Sequence, residues 1–190
     1  MVSLYYTTHA DNLHDTAHAL LAFALEERGI REVSLTRGEH GKPFLKEYPT
    51  IRISLSHVRG LAACAVAEEE IGMDVQDDRG LAAGRLLRIA ERFFAKEEAD
   101  ALFALRREEE MRRFFFRLWS AKEAYVKYTG KGMAEDFSSF RADPVRGLIL
   151  RGNETIANLT EVSLPGEFFC TVCAALRLPV KKIDLTGQIP

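Results

Sequence analysis

The fold is organised around one stretch, Leu118-Trp-Ser-Ala-Lys-Glu-Ala-Tyr-Val-Lys-Tyr-Thr-Gly-Lys-Gly132. Its pattern predicts the end of a helix over 108–129, because glycines at 130 and 132 stop the helical run. Glu123 and Lys127 lie four residues apart, so a helix places them on one face. The pair is either an exposed ion pair or, together with the Gly-Lys-Gly turn, part of a site for a metal and a phosphate.

The segments on either side predict an α+β fold. Apolar spacing favours helices over 15–28, 83–94 and 96–105, and strands over 2–7, 33–36, 51–56, 61–67 and 71–76. Further strands are expected over 137–142, 147–151, 159–164 and 167–177. We therefore predict two similar α/β halves, residues 1–78 and 79–190. The Ala/Cys/Val-rich strands at 61–67 and 168–176 favour an internal duplication, with a ligand cleft between the halves.

Composition narrows the class of protein. The chain has 190 residues, is 47% hydrophobic and carries a formal charge of −2, which is typical of a globular protein with a real core. Its apolar runs are far shorter than the ~20 residues of a membrane span, and no signal-peptide pattern begins the chain. Three cysteines favour a reducing compartment. We expect a cytoplasmic protein that binds neither nucleic acid nor membrane.

The small net charge hides an uneven distribution. Residues 1–78 carry a net −6, residues 79–131 a net +5 and residues 132–190 a net −1. Within the basic segment, Arg85, Arg88 and Arg92 recur at helical spacing and form one stripe. The stripe is either a solvated helix face or a docking surface for an acidic partner.

A carboxylate stands in the predicted strand Ile71-Gly-Met-Asp-Val-Gln76. Asp74 and Gln76 point to the same face of that strand, and Met73 and Val75 to the other. A carboxylate on a buried strand is costly unless it is paired, and Mg²⁺ is one partner that prefers oxygen ligands. The alternative is an aspartate that starts the turn at the strand's end.

Two further segments offer phosphate-binding groups. In Ile53-Ser-Leu-Ser-His57, Ser54 and Ser56 share a face and His57 can donate to phosphate oxygens, although a structural histidine is the alternative. Gly41-Lys42-Pro43 predicts a turn with a protruding lysine. The pair Cys170 and Cys173 is interpreted as core, not as a zinc site. The absence of G-x-S-x-G, P-loop and G-x-G-x-x-G motifs argues against serine hydrolases, P-loop NTPases and Rossmann oxidoreductases.

Taken together and in this order, these segments resemble the 4′-phosphopantetheinyl transferases, in particular the larger single-chain type that activates peptide synthetases. The matching segments are Gly41-Lys42-Pro43, Ile53-Ser-Leu-Ser-His57, Gly72-Met-Asp-Val-Gln76, Arg92-Phe-Phe-Ala-Lys-Glu97 and Trp119-Ser-Ala-Lys-Glu-Ala-Tyr-Val-Lys127 with Gly130-Lys-Gly132. The resemblance implies two similar halves about a pseudo-twofold axis with coenzyme A between them. A chain that already contains both halves is expected to act as a monomer.

The resemblance also implies an activity and a set of site residues. The phosphopantetheine arm of coenzyme A would move to a serine of an apo acyl or peptidyl carrier protein, leaving adenosine 3′,5′-bisphosphate. By this resemblance, Asp74 and Glu123, with Gln76 at a third position, would bind Mg²⁺. His57 and Lys127 would contact the pyrophosphate, and Ser56 and Lys42 would lie near the nucleotide. Glu123 would act as the base, and Asp74 and Lys127 would be the other catalytic residues. Carrier proteins of this system are acidic, so the arginine stripe becomes a docking hypothesis.

Two departures from the family pattern leave alternatives open. Many relatives carry Glu where this chain has Gln76, and the stretch 9–20 contains no Lys or Arg to hold the 3′-phosphate of coenzyme A. His14, His18 or Arg37 could substitute. One alternative function is a non-catalytic module that binds coenzyme A or a carrier protein. Another is a different Mg²⁺-dependent phosphoryl enzyme, such as a pyrophosphatase.

Overall fold

The computed structural model describes residues 1–8, 12–78 and 80–189, with Met133 described by its backbone only. The helices are α1 (Leu13–Glu26), α2 (Ala83–Phe93), α3 (Lys96–Phe103) and α4 (Glu108–Thr129). The strands are β1 (Val2–Thr8), β2 (Leu35–Arg37), β3 (Pro43–Leu45), β4 (Arg52–Val58), β5 (Leu61–Ala67), β6 (Ile71–Asp77), β7 (Arg141–Asp143), β8 (Leu148–Arg151), β9 (Glu154–Val162), β10 (Phe168–Ala174) and β11 (Val180–Asp184). The mixed α+β class is confirmed.

The strands form two larger sheets and one small hairpin. One sheet has the order β11-β1-β5-β4 and the other β6-β10-β9-β8-β7, while β2 pairs with β3. β6 pairs with β10 and β11 pairs with β1, so hydrogen bonds join strands on both sides of residue 78. The division at residue 78 and the pseudo-twofold axis stay predictions.

Alternating side chains explain how these sheets stack. On β5, Leu61, Ala63 and Ala65 pack into a core shared with β1, β6 and β10, whereas Ala62 and Cys64 face α1. Small residues on both faces suit a strand covered on both sides. The opposite face of the second sheet packs against α2, α3 and α4. The resulting layers are α1, the first sheet, the second sheet and the α2–α4 group.

One predicted strand is partly wrong. The strand expected over 137–142 is limited to β7, and Phe137–Ser139 forms a 3₁₀ turn instead. The Asp136 carboxylate accepts from the Ser138 N–H at 2.9 Å, and this local bond competes with strand pairing. Within the described ranges, no helix combines the length and apolarity needed to cross a bilayer.

Candidate functional site

The site begins where α4 lies against β6, and a glycine allows that close approach. A Cβ on Gly72 would stand 2.1 Å from the Ala124 carbonyl oxygen and 2.2 Å from the Tyr128 nitrogen. Any side chain at this position would therefore push the helix away from the strand. The close packing carries Glu123 and Lys127 of α4 to the face of β6 that bears Asp74.

Two serines join the two sheets at the same place. The N–H groups of Met73 and Val75 on β6 donate to the Ser54 and Ser56 hydroxyl oxygens of β4, at 2.8 and 3.1 Å. β4 and β6 are edge strands of different sheets. The serine hydroxyls therefore accept the β6 N–H groups that the carbonyl oxygens of a neighbouring strand would otherwise accept. The serines of the Ile53-Ser-Leu-Ser-His57 segment thus align the strands that carry the site.

Asp74 is the most heavily hydrogen-bonded carboxylate of this junction, with its side chain only 5% exposed. Its Oδ1 accepts from the Ser56 hydroxyl at 2.9 Å and from Lys127 Nζ at 2.8 Å. Its Oδ2 accepts from Gln76 Nε2 at 2.8 Å. Lys127 Nζ also donates to the Leu55 carbonyl at 3.2 Å. These donors offset the cost of burying the charge.

Glu123 has the opposite electrostatic environment. Burial, followed by repulsion from Asp74, raises the pKa of Glu123 from 4.5 to about 7, against the opposing charge of Lys127. The shift shows that the negative charge on this carboxylate is poorly compensated. A carboxyl group with a pKa near neutrality can accept and release a proton at physiological pH.

The oxygen donors at this point fit a hard divalent cation such as Mg²⁺. Asp74 Oδ2 accepts one hydrogen bond, from Gln76 Nε2, and has a further lone pair. The Gln76 side chain also carries an amide oxygen, and the charge of Glu123 is only partly compensated by Lys127. Among the described residues, no group of three or more His, Cys, Asp or Glu side chains is arranged so that it could hold a metal ion.

Two cavities meet at Glu123 and Lys127, which line both. The larger, of about 510 Å³, contains Ser56, His57, Asp74 and Gln76 in its wall and extends to His14, His18 and Arg37. The smaller, of about 260 Å³, is mainly apolar and is lined by Lys42, Ile53, Leu55, Val126 and Phe137 among others. The structure therefore brings the sequence-predicted Asp74, Gln76, Glu123, Lys127, Ser56 and His57 together.

Lys42 lies beside this group but directs its amine elsewhere. Its Nζ donates to the carbonyls of Ile71 at 3.0 Å and Tyr128 at 2.9 Å, and it forms a short ion pair with Glu70. Burial lowers the pKa of Lys42, and the Glu70 carboxylate opposes that shift. With three acceptors for its three hydrogens, Lys42 ties the turn at 38–43 to the end of α4. Its predicted contact with a nucleotide stays a prediction.

A buried ion pair supports the helix from behind, and sequence reasoning did not identify it. Lys122 is fully buried, forms an ion pair with Glu98 at 2.9 Å and donates to the Phe137 and Phe140 carbonyls at 2.8 and 2.7 Å. Glu98 also accepts from the Ala142 N–H at 2.6 Å. The pair fixes α4 to α3 and to the 137–142 segment, one residue from Glu123. The feature of the sequence that could have indicated this buried pair is the lysine at 122, which stands in the aromatic part of the predicted helix.

Comparisons of the chain with known proteins find one family and several of its members. The model of the 4′-phosphopantetheinyl transferase superfamily matches residues 70–173. The 4′-phosphopantetheinyl transferase psf-1 of Bacillus pumilus is 37% identical over 150 residues, which are 77% of this chain and 62% of that protein. The 4′-phosphopantetheinyl transferase Sfp of Bacillus subtilis is 32% identical over 109 residues, 57% of this chain and 46% of that protein.

The chain spans about half the length of the curated relatives it matches. The family match covers more than half of the chain and runs from just before β6 through α4 and into β10. It therefore includes Asp74, Glu123 and Lys127, the groups that the fold brings together at the cavity. The chain belongs to the 4′-phosphopantetheinyl transferase superfamily.

Proposed function

We propose that this chain transfers the 4′-phosphopantetheine arm of coenzyme A to a serine of an apo acyl or peptidyl carrier protein. The other product is adenosine 3′,5′-bisphosphate, and the reaction depends on Mg²⁺. The observation that carries the proposal is the convergence of Asp74, Glu123 and Lys127 where two cavities meet. One cavity is polar enough for the phosphates, and the other is apolar enough for the arm or for the serine-bearing loop of a carrier.

The chemistry requires charge neutralisation at phosphorus and a base for the serine. The serine oxygen forms a bond to the phosphorus that bears the arm, and the bond from that phosphorus to the bridging oxygen breaks. The electron pair leaves on the nucleotide phosphate, and the serine proton passes to Glu123. Lys127 and His57 are placed in the cavity wall to donate to phosphate oxygens. Asp74, Glu123 and Gln76 would hold Mg²⁺, which supplies positive charge to the pyrophosphate.

The basic face of α2 supports a docking surface for the carrier. Arg85, Arg88 and Arg92 are exposed, whereas Leu86 and Ala90 of the same helix are buried. The last turn of α2 is close to the smaller cavity, because Phe93 contacts Phe137 in its wall with ring centroids 6.3 Å apart. An acidic carrier bound here would bring its serine near Glu123, and charge steering would speed its arrival.

The transfer is tested by mass spectrometry of apo carrier proteins incubated with the chain, coenzyme A and Mg²⁺. We expect the carrier to gain the mass of one phosphopantetheine arm, and Glu123→Ala and Asp74→Asn to abolish that gain. If several acyl and peptidyl carriers stay unmodified while coenzyme A binds, the proposal fails and the non-catalytic module explains the cavity. Release of the bisphosphate without any carrier would indicate a pyrophosphatase instead.

The docking surface is tested by charge reversal on α2. Arg85→Glu with Arg88→Glu should raise the KM for the carrier and leave the KM for coenzyme A unchanged. The matched control is Arg31→Glu with Lys181→Glu, which makes the same charge change at exposed positions away from both cavities. Equal effects of the two double variants would exclude a specific docking role. The monomeric state and the cytoplasmic location stay predictions.

A further inference from the structure

One arginine of α4 binds both ends of the segment that connects β6 to α2. Arg112 Nη1 donates to the Leu81 carbonyl oxygen at 2.8 Å, and Nη2 donates to the Asp78 carbonyl oxygen at 3.0 Å. Nη2 also forms a short ion pair with the Asp78 carboxylate. This set of bonds, the Arg112 contact, therefore joins α4 to the path from the strand that bears Asp74 to the helix that bears the arginine stripe.

The Arg112 contact is stronger than an ordinary surface ion pair. The Arg112 side chain is 16% exposed and that of Asp78 is 29% exposed, so solvent screens the pair only in part. Hydrogen bonding to Asp78 raises the pKa of Arg112. A guanidinium is a planar group with donors in a fixed fork, so it can bridge the two carbonyls and the carboxylate at once. The contact thus restricts the segment at both of its ends.

The start of α2 has little stabilisation from its own sequence. Its N-cap is Ala82, which makes no side-chain hydrogen bond, and the first turn contains no acidic residue. Arg85 instead places a positive charge at the positive end of the helix dipole. A helix of 11 residues with such a start depends on tertiary contacts. For α2 these are the burial of Leu86 and Ala90 and, directly before the N-cap, the Arg112 contact.

The helix that carries Arg112 also carries the groups at the cavities. Arg112 lies about three turns before Glu123 on the continuous helix α4. The close approach at Gly72 fixes the position of α4 against β6. The Arg112 contact therefore relates the start of α2 to the same rigid element that holds Glu123.

We propose that Arg112 is a positioning residue for the carrier protein, because it fixes the start of α2 and with it the arginine stripe relative to Glu123. The inference rests on the proposed function and on its docking surface. Arg112 lines neither of the two cavities that meet at Glu123, so its loss should leave coenzyme A binding intact. Without the Arg112 contact, the carrier has to order the start of α2 when it binds, and that cost falls on the carrier alone.

The test measures transfer rates at varied concentrations of carrier and of coenzyme A, with Mg²⁺, for the intact chain and its variants. Arg112→Gln should raise the KM for the carrier about tenfold, which corresponds to ordering roughly one backbone residue, and leave kcat and the KM for coenzyme A unchanged. The matched control is Arg117→Gln, which removes the same charge from the same helix. It breaks a two-fold hydrogen bond to Glu161 of β9, at 2.7 and 2.8 Å, and should leave both KM values unchanged.

A second variant separates position from charge. Asp78→Asn removes the ion pair but keeps both carbonyl acceptors of Arg112. Loss of a negative charge would by itself favour an acidic carrier and lower its KM, whereas a weakened Arg112 contact should raise that KM, by less than Arg112→Gln does. Combined with Arg112→Gln, it should add little, because both residues act through one contact.

Hydrogen exchange gives a readout that does not depend on transfer. Arg112→Gln should speed exchange of the amides at 85–88, in the first turns of α2, and leave those at 120–127 unchanged. Arg117→Gln should not affect the amides at 85–88.

The possible failures are distinguishable. A carrier KM that is unchanged in Arg112→Gln, that rises equally in Arg117→Gln or that falls in Asp78→Asn would overturn the positioning role while the transferase proposal stands. Unchanged exchange of the α2 amides in Arg112→Gln would overturn it as well. If the wild-type chain modifies no carrier, both proposals are overturned.

Discussion

Replacing Glu123 by glutamine should stabilise the metal-free protein, and the gain should depend on pH. The variant keeps the size and hydrogen-bonding capacity of the side chain but removes a charge that the folded state holds unfavourably. The pKa of Glu123 rises from 4.5 to about 7 on folding, chiefly through burial and next through Asp74. At ~1.4 kcal/mol per pH unit, full ionisation lowers the free energy of unfolding by about 3 kcal/mol.

The sign follows from the direction of the shift. Below about pH 4.5 the carboxyl is protonated in both the folded and the unfolded chain, so its ionisation costs nothing. As the pH rises towards 7, the Glu123 carboxyl group ionises in the unfolded chain but stays mostly protonated in the folded chain, so the free energy of unfolding falls. Above about pH 7 the loss is complete. Glu123→Gln removes the loss, and the variant should melt roughly 5–10 °C above the wild type at about pH 8.5.

The assay is thermal unfolding followed by circular dichroism in the presence of a chelator, at about pH 5 and about pH 8.5. The wild type and Glu123→Gln should melt close together at the lower pH and separate at the higher one. Glu154→Gln, at an exposed position of β9, is the control and should change neither value. Parallel pH profiles for the wild type and Glu123→Gln would refute the electrostatic reasoning.

Three further substitutions test how the site is supported. Gly72→Ala should cost about 3 kcal/mol or more in urea unfolding, because its Cβ overlaps the backbone of α4, and should also weaken coenzyme A binding. Lys122→Met should cost about 3–5 kcal/mol, measured the same way, because it leaves the Glu98 carboxylate buried without its cation. Ser56→Ala should cost about 1–3 kcal/mol, since Asp74 and the Val75 N–H both lose a partner, with a larger relative loss of transfer rate than of stability.

Each of these has a result that contradicts it. A Gly72→Ala protein as stable as the wild type would show that α4 can shift without strain. A Lys122→Met protein of unchanged stability would show that Glu98 takes up a proton at little cost. If Ser56→Ala lowers stability but leaves the transfer rate unchanged, the serine only joins the two sheets.

The sequence was sufficient for most of the elements because their patterns are local. The helical spacing that ends at Gly130 predicted α4 over its observed length, and apolar segments between turn signals predicted β5 and β6 to within a residue or two. The short strand β3 and the last strand β11 were not predicted. Local hydrogen bonding caused a further difference. Asp136 caps a 3₁₀ turn where a strand was expected, because a short polar side chain can satisfy the backbone without a neighbouring strand.

Chemistry and spacing singled out candidate site residues as types. Asp74 on an otherwise apolar strand and Glu123 four residues before Lys127 were candidates on that basis, with a strand-end turn and an exposed ion pair as alternatives. Their roles came from the family resemblance and stay predictions. Lys42 shows the limit of that approach, since its amine is used by carbonyls of Ile71 and Tyr128 that lie far along the chain. A protruding lysine and a lysine used as a tie between segments look the same in sequence.

The sequence by itself determined the α+β class, the position of the long helix and the residue types available for phosphate chemistry, because these depend on periodicity and on single side chains. Only the tertiary structure decided that β6 pairs with β10 and β11 with β1, and that two serines of β4 contact β6. It alone also showed that Gly72 lets α4 approach β6 and that His14, His18 and Arg37 share a cavity with Asp74. The reason is physical: these features depend on contacts between residues distant in the chain, and local propensity contains no information about which distant partner will pack there.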